Sequence, residues 1–139
     1  NLLLNPALKQ QEFKALYDDL NFIQISINDK TDIRKRYEDI IEGTGDKIHS
    51  LEFFKLEDIN YGLLAWGWYA VTAFSKNIPS SDKNRAIRLR KHNIQIGDSD
   101  LLHKFFKEKR GNDYFYGEIH VVNNKIKKLH KTFFIYITC

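Results

Sequence analysis

The chain has 139 residues and a mass of 16.5 kDa, enough for one domain with its own core and too few for two. Apolar residues make up 42% and charged residues 29%, with no low-complexity tract, which excludes a disordered or collagen-like chain. Net charge is +4, divided into −4 over residues 1–75 and +8 over residues 76–139, so the second half invites a polyanion, with a solvated basic surface as the plainer explanation.

Asn5-Pro6 opens a first helix, and Phe13, Leu16, Tyr17 and Leu20 recur on one face of it to about residue 20. Residues 21–28 alternate, with Ile23, Ile25 and Ile27 on one side, and predict a half-buried strand. A second helix is expected over 31–42 from the stripe Ile33, Tyr37, Ile40 and Ile41, stopped at Gly43. Residues 48–54 suggest a strand and 56–64 are ambiguous. Residues 66–74 read as a strand because Gly and β-branched residues disfavour a helix there. Trp66 and Trp68 share one face of it, where core packing is expected ahead of a partner surface.

Ile87 and Leu89 alternate with Arg88 and Arg90, and Ile94 and Ile96 resume the alternation after Lys91-His92-Asn93. This predicts one strand over 86–96 with a bulge or kink, and places the two arginines on the face opposite the aliphatics. A third helix is expected over 100–110, with Leu101, Leu102, Phe105 and Phe106 as its face and Gly111 beyond its end. Residues 114–122 form a further strand, Asn123-Asn124 a hairpin turn and residues 133–137 a last strand. The expected architecture is mixed α+β in two layers: strands 21–28, 66–74, 86–96 and 114–122 in one sheet, with three helices packed on it.

The longest apolar run, from Leu63 to Val71, is about half of a membrane span, so no membrane partner is expected. Cys139 is the only cysteine, which excludes an intrachain disulfide and favours a reducing, cytoplasmic compartment. The chain lacks Met and starts at Asn1, so residues 1–139 are read as a single domain cut from a longer protein.

Five histidines (His49, His92, His103, His120 and His130) show no metal-ligand spacing, and no metal site is expected. Gly43-Thr44-Gly45-Asp46-Lys47 is a turn rather than a phosphate loop, since no Gly-x-x-x-x-Gly-Lys-Ser/Thr cradle exists. Arg85 and His92 have the Arg-x6-His spacing that resembles the catalytic pair of HEPN ribonucleases, here on a strand and not on a helix. A HEPN-like ribonuclease is therefore one alternative, and a basic nucleic-acid-binding α+β module another. Arg88, Arg90, Lys91 and Arg110 are the candidate contacts for nucleic acid or phosphate.

The longest ordered signal runs from Ala86-Ile87-Arg88-Leu89-Arg90 through Asn93-Ile94-Gln95-Ile96-Gly97-Asp98 to Gly117-Glu118-Ile119-His120-Val121. It resembles the middle (transducer) domain of bacterial Hsp90-like ATPases of the GHKL class. That family carries a strand reading roughly G-I-R-L-R-x-x-N-I-Q-I-G-D, a helix, and a strand reading G-E-I-H-V. Gly67-Trp68-Tyr69-Ala70 is similar to the family's preceding G-W strand. The resemblance covers residues 66–122, and residues 1–65 by element order alone.

The resemblance implies a ribosomal-protein-S5-domain-2-like fold whose role is to couple ATP turnover in a separate N-terminal domain to conformational change. The fragment itself would be non-catalytic, with ATP and Mg held by the nucleotide-binding domain of the same chain. A second copy of the chain and a client protein are further candidate partners, the parent being of chaperone type. A basic residue just beyond the last strand would reach the terminal phosphate. The family's L-I-P-N-x-R-R-D-like run is replaced here by Lys125 to Phe133, in which Lys131 is the nearest positional match.

Overall fold

The computed structural model describes residues 11–20, 26–27, 31–32, 47–72, 76–108 and 110–124. Among these residues, the α-helix α1 (Gln11–Asp18) is followed by β1 (Ser26–Ile27) and β2 (Thr31–Asp32), which pair with each other in a separate two-stranded sheet. The main sheet contains β3 (Ile48–Asp58), β4 (Gly62–Thr72), β5 (Ala86–Lys91), β6 (Ile94–Ile96) and β7 (Tyr116–Val121), in the order β3-β4-β7-β5-β6. All pairs in it are antiparallel except β5 with β7, which run parallel at its centre. The fold is therefore α+β, built on a mixed five-stranded sheet.

Alternation along the strands sorts side chains onto two faces. Trp66, Trp68, Leu51 and Tyr116 join Phe13 of α1 in one buried cluster, where the Phe13 and Phe53 rings lie 4.7 Å apart. Ala65, Ile87, Leu89 and Ile119 form the second cluster, covered by Leu101, Leu102, Phe105 and Phe106. Each fully buried Ile or Leu contributes about 1.5–3 kcal/mol, so both faces add to stability. Two glycines set the spacing of the central strands. A Cβ on Gly67 would lie 2.5 Å from the Phe54 ring, and one on Gly117 would lie 2.5 Å from the Trp68 carbonyl oxygen.

Four expectations need correction. Ser26–Ile27, within the predicted strand 21–28, pairs outside the main sheet, antiparallel with Thr31–Asp32. Thr31 and Asp32 are consequently strand residues and not the start of a helix; residues 33–42 lie outside the described residues. The strand 86–96 is a hairpin, because His92 and Asn93 both take positive φ (49° and 62°) and turn β5 back onto β6.

The helix expected over 100–110 is replaced by short 3-10 turns at His103–Phe105 and Gly111–Tyr114. His103 N–H donates to the Asp100 carbonyl and Phe105 N–H to that of Leu102, both three residues back. The Ser99 carbonyl, which an α-helix would pair with residue 103, instead accepts from the Asn112 side chain at 3.3 Å. Asn5-Pro6 and the strand predicted over 133–137 fall outside the described residues.

Candidate functional site

The parallel β5–β7 pair aligns Arg88 with Glu118 and Arg90 with His120, and β4 sets Trp66 beside His120 on the other side. Arg90 Nε donates to Glu118 Oε1 at 2.7 Å, while His120 Nε2 lies 3.2 Å from Oε2. Trp66 stacks on the His120 ring, 4.5 Å between centroids and 13° between planes. All of this is buried: Trp66 is 1% exposed, His120 3% and Glu118 8%. Both carboxylate oxygens of Glu118 are engaged, so the cluster clamps β5 to β7. His120 Nδ1 is buried with no hydrogen-bond partner.

A second polar cluster gathers where β5 and β7 begin. Arg85 NH1 is 3.2 Å from Asp113 Oδ2, and His103 Nε2 is 3.0 Å from Asp113 Oδ1. Asp100 lies at the rim, 3.6 Å from His103 Nε2. Asn112, fully buried, accepts from Ile87 N–H at 3.0 Å through its side-chain oxygen, which ties the crossover segment to the first turn of β5. Chemically the cluster is an imidazole oriented by a buried carboxylate that a guanidinium neutralises. Among the described residues no group of three His, Cys, Asp or Glu could hold a metal ion.

The residues singled out from sequence are distributed as follows. Arg88 and Arg90 share the sheet face opposite Ile87 and Leu89, and both guanidiniums have internal partners. Arg88 donates to the Arg85 and Lys83 carbonyls, at 2.8 and 3.0 Å, and Arg90 also donates to the Asn93 carbonyl at 2.9 Å. Lys91 closes β5, half-buried, and Arg110 is exposed before the second 3-10 turn. Arg85 and His92 stand at opposite ends of β5, roughly 20 Å apart at the rise of a strand, so they do not converge on one phosphate. Lys131 lies outside the described residues.

Glu118, Asn112 and Asp113 were not singled out as site residues from sequence, and His103 and His120 were weighed only as metal ligands. The available signal was that Glu118 and His120 fall in phase with Tyr116, on the same face as the two tryptophans. The chain matches no protein-family model, no curated protein and no solved structure. No helix among the described residues is long and apolar enough to cross a membrane.

Proposed function

We propose that the chain is the middle (transducer) segment of an Hsp90-like, GHKL-class ATP-binding protein with the S5-domain-2-like two-layer fold. It would couple ATP turnover in an N-terminal nucleotide-binding domain to conformational change. The observation that carries the reading is backbone geometry. In the pattern G-I-R-L-R-x-x-N-I-Q-I-G-D, the three positions suited to a left-handed backbone fall on Ala86, Asn93 and Gly97. Those residues have φ of 77°, 62° and 68°.

Ala86 supports the reading most, because a left-handed alanine is uncommon and the family pattern has glycine there. The glycines of the G-W and G-E-I-H-V strands coincide with Gly67 and Gly117, the two close approaches between central strands. These positions specify a scaffold, and the chemistry would belong to the domain it serves. ATP and Mg would be held by that domain in the cytoplasmic parent. Lys131 would bring one positive charge to the terminal phosphate, neutralising charge that develops on its oxygens.

The test is ATP turnover by the full-length parent. Lys131→Ala should lower turnover about 10- to 1,000-fold while nucleotide affinity changes far less. A parent that neither binds nor hydrolyses ATP overturns the whole reading, and unchanged turnover in the variant removes Lys131 from it.

A further inference from the structure

The polar cluster at the heads of β5 and β7 holds a histidine, His103, that has no part in the ATP chemistry proposed above. Asp113 fixes it and is itself fixed from several sides. The Asp113 carbonyl accepts from Ile78 N–H at 3.0 Å, and its N–H donates to the Arg110 carbonyl at 3.0 Å. Its carboxylate is divided between Arg85 NH1 at 3.2 Å and His103 Nε2 at 3.0 Å, with a side chain only 8% exposed. On the rim, Asp100 Oδ1 lies 3.6 Å from the same histidine nitrogen and accepts from the Ser99 hydroxyl at 3.0 Å.

A neutral imidazole carries its hydrogen on one nitrogen only. With two carboxylates facing Nε2, that nitrogen is the donor and the free lone pair falls on Nδ1. His103 Nδ1 has no hydrogen-bond partner among the described residues, and unlike His120 Nδ1 it is not sealed from solvent. The side chain as a whole is 21% exposed. An open nitrogen on a ring oriented by a carboxylate, with that carboxylate held by a third group, is the arrangement of an activated nucleophile. The charges within 4.0 Å choose its substrate. Arg85 supplies one positive charge and Asp113 and Asp100 two negative ones, so anionic donors such as phosphates are repelled and uncharged ones are not.

We propose that His103 is a nucleophile toward uncharged activated acyl donors such as aryl esters and pyrocarbonates, with Asp113 and Arg85 as positioning residues. Nδ1 adds to the carbonyl carbon, and the bond from that carbon to the leaving oxygen breaks, the electron pair departing with the oxygen. The acylimidazolium loses its Nε2 proton to solvent. Water then adds to the acyl carbon, and the C–N bond breaks back to Nδ1. One ester and one water become one acid and one alcohol, and the imidazole is regenerated.

Diethyl pyrocarbonate tests this on the unaltered chain. Exposure alone ranks His49 and His92, both exposed, ahead of the half-buried His103. The dyad reverses that order, and peptide mass spectrometry should show His103 acylated at least about tenfold faster than either. Nitrophenolate release from p-nitrophenyl acetate should fall at least about tenfold in His103→Gln and stay unchanged in His92→Gln. Asp113→Asn should slow labelling at His103 alone, and the 15N spectrum of that ring at about pH 8 should show a mixture of tautomers in place of Nε2–H. If Asp113→Asn does not fold, the order of labelling in the unaltered chain decides. Labelling of His103 no faster than that of His92, or undiminished ester turnover in His103→Gln, overturns the proposal. Fast labelling of His103 that a folded Asp113→Asn chain retains overturns the role of Asp113.

Discussion

Ala86 holds φ of 77° while wholly buried at the head of β5, a conformation that costs an L-residue about 1–2 kcal/mol. Glycine avoids that cost but loses more entropy on folding. Ala86→Gly should therefore leave stability unchanged or raise it by up to about 1 kcal/mol, readable as the midpoint of urea unfolding. Glu118 gives the opposite case. Its carboxylate is the common partner of Arg90 and His120, and removing it leaves a guanidinium 12% exposed without its counter-charge. Glu118→Ala should cost about 3–5 kcal/mol in the same assay. A loss below about 1 kcal/mol would show that the clamp contributes little.

At the level of elements, the three non-glycine positive φ values among the described residues all fall on β5 and the turn to β6. Asn112 joins Ile87 to Ser99, so Asn112→Ala removes the side-chain partner of the buried Ile87 N–H and of the partly buried Ser99 carbonyl. A loss of about 2–4 kcal/mol is expected, together with faster amide exchange at Ile87. Gly117→Ala should be worse tolerated than a surface change by several kcal/mol, because the obstructing Trp68 oxygen is backbone and cannot turn aside.

Alternation marks the strands within 66–74 and 114–122, whereas β3 and β4 also reach to Asp58 and back to Gly62, in a stretch whose pattern left 56–64 ambiguous. The turn within 86–96 was not legible, because Lys91-His92-Asn93 lacks the Asn-Gly or Asp-Gly signature of a two-residue hairpin. The apolar spacing of Leu101, Leu102, Phe105 and Phe106 fits an α-helix as well as a short 3-10 turn, and it carries no sign that Asn112 takes the Ser99 carbonyl. The polar clamp escaped for a related reason. Both faces of β7 are buried, so the one sign that Glu118 and His120 point inward was their phase with Tyr116.

For the whole molecule, the basic half does not translate simply into a basic surface. Arg85, Arg88 and Arg90 have their charge or donors directed to Asp113, backbone carbonyls and Glu118. Weak binding to single-stranded oligonucleotides is therefore expected. Micromolar affinity at about 0.15 M salt, with a steep salt dependence, would favour the nucleic-acid module instead. Mg-ATP titrated calorimetrically into the isolated chain should give no micromolar binding, since the proposed nucleotide site belongs to another domain.

The position of β7 has a consequence for the order in which the molecule is made. It is the last described strand in the chain, yet it lies between β4 and β5 and joins two hairpins that do not otherwise pair. A nascent chain that has emerged only as far as Phe115 can hold β3 with β4 and β5 with β6, each by local contacts, but has no sheet linking them. Until the next six residues appear, the inner edges of both hairpins stay open to pairing with other chains. Synthesis of this segment thus has a brief interval of exposure that ends when a single strand slots into the gap, and a pause in translation at that stage would prolong it.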